Sequence, residues 1–325
     1  MQARTPGLVI RSAEADDAAR LAEVERDSPV PAGRGLTFSV DKHDALALSR
    51  LQPEPVVLVA EIDGRVVGMN SASIHEGLIA GQRQRLGWLH NPRVLPEHRG
   101  KWIGRSLATE LTAVCRQRVD RCYRLFGPGY EAEDGRQPWR TQPIWMLLDA
   151  GRVAGPRHGR PATPDDAELV VEMLNAGHAH EELFVPYTVA SLTARLERSP
   201  DQYTWADLTI GDGAVVGVWR GGWQVARTHP NRVVKGLQDN VFDHGFLPGA
   251  EPELLLLLRA ASGRTENGPG ERYLGMWTSV GSPAYASLTV LTGPEFQFPF
   301  QLQCDVPEPA AAGHRGVHLD ALHST

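Results

Sequence analysis

The hydrophobic pattern of the first hundred residues alternates between strand-like and helix-like stretches. Residues 56–62 form a nearly continuous apolar run, and residues 66–74 read VVGMNSASI, a strand-like stretch that is apolar at its start and partly polar after Met69. Between them lies Asp63-Gly64, a dipeptide typical of the tight turns that join antiparallel strands. Upstream, residues 15–26 carry apolar side chains at helical spacing behind acidic residues, which predicts a helix.

The remaining elements follow from the same two periodicities. Strands are predicted at residues 8–11, 86–94 and 144–148, helices at residues 40–51 and 104–117, and a loop at residues 29–35. The order is then a strand, two helices, a meander of strands, and a strand that leads into a helix. This order predicts an α/β fold with a mixed sheet.

A repeated pattern divides the chain into two copies. The stretch IRSAEADDAARLAEV, which starts at Ile10, resembles GRPATPDDAELVVEM, which starts at Gly159, at an offset of 149 residues. Asp63-Gly64 recurs at the same offset as Asp212-Gly213. A period this long predicts duplicated domains rather than a solenoid. We place a first copy at residues 1–150, a linker rich in Gly, Pro and Arg at 151–161, and a second copy at 162–325.

Composition and charge exclude several classes of partner. The chain has 325 residues, of which 42% are hydrophobic and 22% charged, and its formal net charge is −6. We expect no nucleic-acid partner because a basic excess is missing, and no membrane partner because the apolar runs are too short to span a bilayer. Three cysteines without metal-ligand spacing indicate reduced thiols and a cytoplasmic protein. The preference for arginine over lysine is typical of a GC-rich bacterial genome.

Residues 94–107, VLPEHRGKWIGRSL, place a basic, glycine-containing turn between a predicted strand and a predicted helix. The first N–H groups of a helix have no partner within the helix, and the helix dipole adds partial positive charge there. Gly100 and Gly104 leave the backbone accessible, while Arg99, Lys101 and Arg105 add full charges. The turn predicts a phosphate-binding site, and the alternative is a solvated helix start without a ligand.

The spacing Val94-x-Pro96-x-x-Arg99-Gly100-x-x-x-Gly104 resembles the acyl-CoA signature of the GNAT superfamily of N-acyltransferases. The preceding order of elements is similar to that family's too, and the resemblance covers residues 8–117 well and residues 118–150 weakly. It implies the mixed-sheet acyl-CoA N-acyltransferase fold in two tandem copies. The co-substrate would be acetyl-CoA or another acyl-CoA, without a metal. By position, the resemblance implies cofactor binding by Val94, Arg99, Gly100, Lys101, Trp102, Ile103, Gly104 and Arg105.

Trp102 departs from the family pattern because it occupies the position of that pattern's first glycine. A positive φ angle there would strain a tryptophan, whereas a helical conformation would accommodate it. We expect the helical conformation, because Arg99, Gly100 and Gly104 are all present. The departure also leaves room for a donor without a nucleotide, such as pantetheine on an acyl carrier protein.

The second copy has lost the basic turn. At an offset of 149 residues, Arg99 maps to Pro248 and Gly104 maps to Glu253. Acidic residues at a helix N-terminus stabilise the helix but repel phosphate. We therefore expect the first copy to be catalytic, and the second to be structural or to shape the substrate site.

Acylation of an amine needs a base that removes the ammonium proton, and often an acid that protonates the leaving thiolate. His90 is the candidate base, because the two-residue period of a strand puts it on the same face as Val94. The alternative is a packing histidine at a strand end. Tyr123 and Tyr130 are the candidate acids, and Tyr130, which follows Gly127-Pro128-Gly129, is preferred. The histidines of HAHEE, residues 178–182, lack metal-ligand spacing and predict a solvated helix end.

Together, these features predict an N-acyltransferase that transfers an acetyl or other acyl group from acyl-CoA to an amine of a small molecule. Two alternatives stay open. One is an acyltransferase supplied by a carrier-protein thioester in a biosynthetic pathway. The other is a non-catalytic CoA-binding or scaffold protein that keeps the same fold.

Overall fold

The computed structural model describes residues 5–33, 36–41, 45–127, 138–229, 232–263, 271–309 and 316–319. Helices pack on two mixed β-sheets, and the predicted α/β class is confirmed. The elements up to residue 153 are strands β1 (Leu8–Ser12), β2 (Val30–Gly33), β3 (Leu36–Asp41), β4 (Pro55–Ile62), β5 (Arg65–Ile79), β6 (Gln82–Val94), β7 (Arg121–Phe126) and β8 (Pro143–Asp149), and helices α1 (Ala18–Asp27), α2 (Ala47–Leu51), α3 (Ile103–Arg116) and α4 (Ala150–Val153).

The later elements repeat much of this order. They are strands β9 (Arg160–Pro161), β10 (Leu208–Ile210), β11 (Ala214–His229), β12 (Arg232–Phe246), β13 (Glu271–Ser279), β14 (Gln297–Pro299) and β15 (Gln301–Cys304), and helices α5 (Ala167–His178), α6 (Val189–Leu196), α7 (Glu251–Gly263) and α8 (Tyr285–Leu288). In both copies a long antiparallel hairpin leads to a parallel pair, β6 with β7 and β12 with β13. The two tandem copies of one fold are therefore confirmed.

Two of the predicted elements differ from the structure. Residues 30–33, predicted as part of a loop, form β2, and the predicted helix at 40–51 is reduced to α2, because residues 36–41 form β3. β3 pairs with residues 224–228 of β11, which belong to the other copy. A strand whose partner lies so far along the chain leaves no local signal, because its conformation depends on that partner.

The two sheets exchange strands. The first has the order β1-β4-β5-β6-β7-β15, and the second has the order β14-β8-β13-β12-β11-β10-β9. β15 of the second copy thus pairs with β7, and β8 of the first copy lies between β13 and β14. β8 reads PIWMLLD and is buried along almost its whole length, as expected of a strand with neighbours on both sides. The boundary at residues 151–161 stays a prediction, since each sheet draws strands from both sides of it.

The repeat seen in the sequence has a structural cause at the start of each first helix. Arg11 pairs with both oxygens of Asp17, at 2.7 and 3.0 Å, and Asp17 also accepts the N–H of Glu14. Arg160 pairs with Asp166 in the same two-pronged way, at 2.8 and 2.5 Å. Such charge-assisted pairs combine orientation with capping of the helix start. The repeated residues therefore maintain the fold of each copy.

The strand register repeats as well. Gly68 of β5 pairs with Val94 of β6, and Gly217 of β11 pairs with Asp243 of β12, again at an offset of 149 residues. A β-bulge interrupts the long hairpin beside this pair in both copies. Val94 in the first copy and Asp243 in the second thus occupy equivalent positions of the backbone.

Candidate functional site

The predicted phosphate-binding turn lies between the end of β6 and the start of α3. After Val94 the chain forms a short 3-10 turn, continues extended through Arg99 and reverses at Gly100, whose φ angle is 76°. Arg99 stabilises this course, since its Nε donates to the carbonyl oxygen of Val94 at 3.1 Å. Part of the role of Arg99 is therefore to hold the turn itself.

The first amides of α3 face outward with no helical acceptor ahead of them. The first i to i−4 hydrogen bond of this helix start runs from Ser106 N to Trp102 O at 2.9 Å, so the N–H groups of residues 103–105 precede it. A Cβ added at Gly104 would lie 3.6 Å from Val94 Cγ2 and would meet no other described atom within 4 Å. The positive end of the helix dipole is thus accessible to an anion.

Exposed cationic side chains adjoin the same helix start. Lys101 and Arg105 are both exposed, and the carbonyl oxygen of Lys101 accepts a hydrogen bond from Thr5 Oγ1 at 2.7 Å. The guanidinium carbon of Arg105 lies 5.2 Å from the ring centroid of Trp102. The turn therefore combines backbone donors, two exposed charges and an aromatic ring.

The expected helical conformation of Trp102 is wrong. Its φ and ψ angles are 63° and 6°, in the left-handed region, and it is the N-cap residue of α3. The chain reaches the helix axis through two left-handed residues, Gly100 and Trp102, and only one of them is a glycine. A side chain in this conformation contacts its own carbonyl group, which explains why a glycine is the natural residue here. The ring is 49% exposed.

The parallel pairing of β6 with β7 ends before the turn. β6 and β7 pair in parallel only from Leu86 with Arg121 to Leu89 with Arg124. Beyond this point β7 continues against β15, while residues 90–94 of β6 pair only with β5 among the described strands. Where two parallel strands stop pairing, an extended ligand can lie alongside the strand that continues. This end of β6 leads directly to the phosphate-binding turn.

The argument that His90 and Val94 share a face is wrong. His90 pairs with Ser71 and Arg93 pairs with Met69, so β6 contains one extra residue across this interval. Asn91 lies in this bulge with a φ angle of 54°. Residues paired across antiparallel strands share a face, so His90 lies on the face of Arg93, opposite Val94. The bulge, which the two-residue period does not reveal, reverses the alternation.

His90 is buried within the sheet and held from two sides. Its ring stacks on Trp88 with centroids 3.9 Å apart, and its Nε2 lies 3.3 Å from Gln52 Nε2. The amide nitrogen of Gln52 can only donate, so His90 Nε2 accepts in this arrangement. His90 can therefore take a proton at Nε2 only after Gln52 releases it. The preferred candidate acid, Tyr130, lies outside the described residues.

Sequence reasoning missed a buried carboxylate beside the bulge. Glu25 of α1 is only 3% exposed, and its Oε1 accepts a hydrogen bond from Asn91 Nδ2. The contact ties α1 to the bulge, just beyond the point where the parallel pairing of β6 with β7 ends. Glu25 lies one turn after Leu21 on the buried face of α1. A charged residue on the apolar face of a predicted helix is the sequence signal that indicates such a buried carboxylate.

The second copy uses the equivalent backbone positions for internal contacts. Glu253, in the first turn of α7, accepts from Asp212 N at 2.9 Å and lies 2.7 Å from His158 Nε2. Asp243 is buried and accepts a hydrogen bond from Tyr203 at 2.8 Å. Burial and the charge of Asp243 raise the pKa of Tyr203 well above its usual value. These contacts favour the expectation that this copy does not hold a phosphate group there.

The predicted solvated helix end at HAHEE is wrong for most of its residues. His178, Glu181 and Glu182 are buried, and only His180 is exposed among the charged and histidine side chains of the stretch. They pack against residues 316–319, which come from the far end of the chain. This long-range contact is what converts a helix end into a buried cluster.

The cysteines and the helices add two further facts. Cys115, Cys122 and Cys304 are buried free thiols, and burial raises the pKa of Cys115 to about 11. A thiol of that pKa is a poor nucleophile at neutral pH. Within the described residues, every helix is too short or too polar to cross a bilayer.

Comparison with known proteins adds the following findings. Residues 20–155 match the family model described as Acetyltransferase (GNAT) family. The structure is similar to the N-myristoyltransferase of Saccharomyces cerevisiae with bound myristoyl-CoA, with a TM-score of 0.66 and 11% identity over 98% of this chain and 90% of that chain. It is also similar to a glucosamine N-acetyltransferase region of a fungal multi-domain beta-N-acetylglucosaminidase, with a TM-score of 0.56 and 12% identity over 92% of this chain and 38% of that chain.

A GNAT family acetyltransferase from Brucella melitensis, in complex with acetyl-CoA, is 30% identical over 40% of this chain and 82% of that chain, with a TM-score of 0.32. No curated protein matches the sequence.

Proposed function

We propose that the N-terminal copy of this chain, which belongs to the GNAT acetyltransferase family through residues 20–155, transfers an acyl group from acyl-CoA to an amine. The observation that carries the proposal is the open start of α3 at Ile103, which follows the stretch of β6 beyond its parallel pairing with β7. Together they offer a phosphate site and an extended strand end in line. The yeast neighbour with the same fold holds myristoyl-CoA, which favours a CoA thioester as the donor.

In this proposal the pyrophosphate of CoA binds at the helix start. The N–H groups of residues 103–105 donate to phosphate oxygens, while Lys101 and Arg105 neutralise charge from outside. Gly104 lets the phosphate approach the backbone closely. Pantetheine then extends alongside the end of β6, beyond its parallel pairing with β7. The thioester therefore lies near the bulge at Asn91.

The reaction at that point is aminolysis of a thioester. The amine nitrogen attacks the thioester carbon, the carbon–sulfur bond breaks, and the proton lost by the amine is finally gained by the CoA thiolate. A base must receive that proton first, because an ammonium ion has no lone pair for attack. His90 remains our candidate, and Gln52 would have to release its Nε2 when the acceptor binds.

Substitutions at Gly104 test the phosphate site. Gly104→Glu puts a carboxylate at the helix start, as Glu253 does in the second copy, and Gly104→Gln has nearly the same size without the charge. At about 5 Å from one phosphate charge, the carboxylate costs about 0.8 kcal/mol at the dielectric constant of water and about 3 kcal/mol at a value of 20. Blocking one charge-assisted hydrogen bond adds about 1.5–3 kcal/mol. The smaller of these figures together give about 2.3 kcal/mol, so we expect Gly104→Glu to weaken CoA binding at least about 50-fold.

Calorimetry with CoA measures this effect, with circular dichroism as the folding check. Gly104→Gln should lose less affinity than Gly104→Glu, and the difference between them should shrink as salt is raised, because exposed charges are screened. Lys101→Ala should cause a smaller loss that also depends on salt. If folded Gly104→Glu binds CoA as tightly as the wild type, the phosphates bind elsewhere and the proposal fails.

His90→Ala tests the base. Loss of general base catalysis should lower kcat by about 100-fold or more and remove the acidic limb of the pH profile of kcat/KM. A histidine that only packs against Trp88 would lower stability instead and leave that limb in place. The acyl acceptor in the assay is a panel of small-molecule amines, with acetyl-CoA as the first donor tried.

A carrier-protein donor is the second candidate, and the conformation of Trp102 favours it. Its half-exposed ring lies at the turn, where a nucleotide would pass. A carrier-bound pantetheine ends in a single phosphate and needs less room. Transfer from an acylated carrier protein, together with no transfer from free acyl-CoA, would select this candidate. CoA binding without turnover from either donor would select a non-catalytic protein.

A further inference from the structure

Three segments meet where α5 ends in the second copy. His178 is the last residue of α5, Glu181 follows it closely, and residues 316–319 arrive from near the end of the chain. The backbones pair, since Glu182 N donates to Gly316 O at 3.2 Å and His318 N donates to Glu182 O at 2.9 Å. His178 and Glu181 are buried, and the His318 side chain is 17% exposed.

The side chains of this junction converge on one point. A ligand atom from each of His178, Glu181 and His318 lies within 4.8 Å of the other two. His178 Nδ1 is 2.6 Å from Glu181 Oε2, and His318 Nδ1 is 3.6 Å from the same oxygen. On the far side of the ring, His178 Nε2 lies 2.6 Å from the carbonyl oxygen of His244.

The contact with the carbonyl of His244 decides the state of the His178 ring. A carbonyl oxygen only accepts, so Nε2 carries a proton, and in the neutral ring Nδ1 then points a lone pair at Glu181. A carbonyl that holds one ring nitrogen is the usual support of a histidine that binds a metal through the other. Two lone-pair atoms 2.6 Å apart in a buried site need a cation between them, either a proton or a metal ion.

The position of His318 favours a metal ion over a proton. A proton between His178 and Glu181 would use one ring only, whereas a metal ion uses both rings and the carboxylate. Two imidazoles and one carboxylate are a ligand set that zinc accepts, with a fourth position for water. Neighbouring ligands of tetrahedral zinc are about 3.3 Å apart, so Glu181 has to retreat by only about 0.7 Å to admit it.

We propose that His178, Glu181 and His318 bind a zinc ion, or a divalent transition metal of similar preference, that fastens residues 316–319 to α5. The site also reaches the first copy. Glu182 Oε2 accepts from Ala80 N at 2.8 Å, and Leu183 N donates to Leu78 O at 2.7 Å. The metal therefore stabilises a junction between the end of the chain, the second copy and the far end of the hairpin formed by β5 and β6.

Zinc binding by the full chain tests this proposal. The protein is prepared without a histidine tag, stripped with EDTA, and titrated with zinc, and its metal content is measured by mass spectrometry after dialysis. We expect one zinc ion per chain, with affinity reduced at least about tenfold in Glu181→Gln and in His318→Asn. His180→Asn is the matched control, since His180 is exposed and close by, and it should bind zinc as the wild type does.

Cobalt gives a readout that does not depend on how the variants fold. Co²⁺ added to the stripped wild type should produce visible absorption bands of a low-coordinate site, saturating at one equivalent and displaced by zinc. If the wild type retains no more zinc than Glu181→Gln and cobalt gives no such bands, the junction holds only a proton between His178 and Glu181. That result would overturn the proposal.

Discussion

Replacing Trp102 by glycine and by alanine gives two variants that differ by one methyl group at a left-handed residue. The φ and ψ angles of 63° and 6° bring a Cβ against its own carbonyl group, which costs about 1–2 kcal/mol. Glycine has no Cβ, but its greater freedom in the unfolded chain costs about 0.5–1 kcal/mol relative to alanine. We expect Trp102→Gly to be more stable than Trp102→Ala by about 0.5–1 kcal/mol. At a helical residue the order would be reversed.

Relative to the wild type, both variants also lose the contact made by the indole ring. The indole is half exposed and lies 5.2 Å from the guanidinium of Arg105, a contact that contributes about 0.5–1 kcal/mol at an exposed site. Both variants lose this contact equally, so the difference between them isolates the backbone. Trp102→Gly also removes the backbone strain that the wild type has at the N-cap residue. Its stability should therefore stay within about 1 kcal/mol of the wild type.

Equilibrium unfolding in urea measures these differences, with fluorescence and circular dichroism followed together to check that the transition is cooperative. Amide hydrogen exchange in the first turn of α3 gives a local readout of the same strain. If Trp102→Ala proves as stable as Trp102→Gly or more stable, residue 102 is not left-handed in solution. The helical conformation expected from the sequence would then be right.

Two further predictions use the same unfolding assay. Arg11 holds the pKa of Asp17 below its usual value, so Asp17 contributes stability above its unfolded pKa and loses it as the pH falls. Asp17→Asn should cost roughly 0.5–1 kcal/mol at pH 7, and the cost should shrink as the pH falls below about 3.9, the usual pKa of an aspartate. A cost that stays constant as the pH falls would contradict this. Tyr203→Phe removes a hydrogen-bond donor from buried Asp243 and should lower the free energy of unfolding by about 1.5–3 kcal/mol. An unchanged free energy of unfolding would mean that water replaces the hydroxyl.

Much of the local structure could be predicted from the sequence. The turn Asp63-Gly64 has positive φ angles at both residues, and strands and helices with strong periodicity lie where the pattern places them. The repeat at an offset of 149 residues identified the two copies, and the structure shows it again in the paired Arg11 and Asp17. The start of α3 could be located because a basic, glycine-containing turn follows an apolar strand.

The candidate site was only partly accessible to the same reasoning. The residues of the turn follow from their spacing, but the left-handed Trp102 and the bulge at Asn91 do not. Both depend on how the chain must be directed between β6 and α3 once each is packed in place. The buried partner of the bulge, Glu25, lies on another element, so no pattern near residue 91 indicates it.

Tertiary structure alone decided the features that join distant residues. β3 exists because β11 pairs with it, and β8 and β15 enter the opposite sheets. His178 and Glu181 are buried because residues 316–319 cover them. Periodicity reports which face of an element is apolar, and capping reports where a helix begins, but both are local signals. Strand partners and buried clusters depend on loop closures over long stretches of chain, whose free energy is recovered only when the whole fold is assembled.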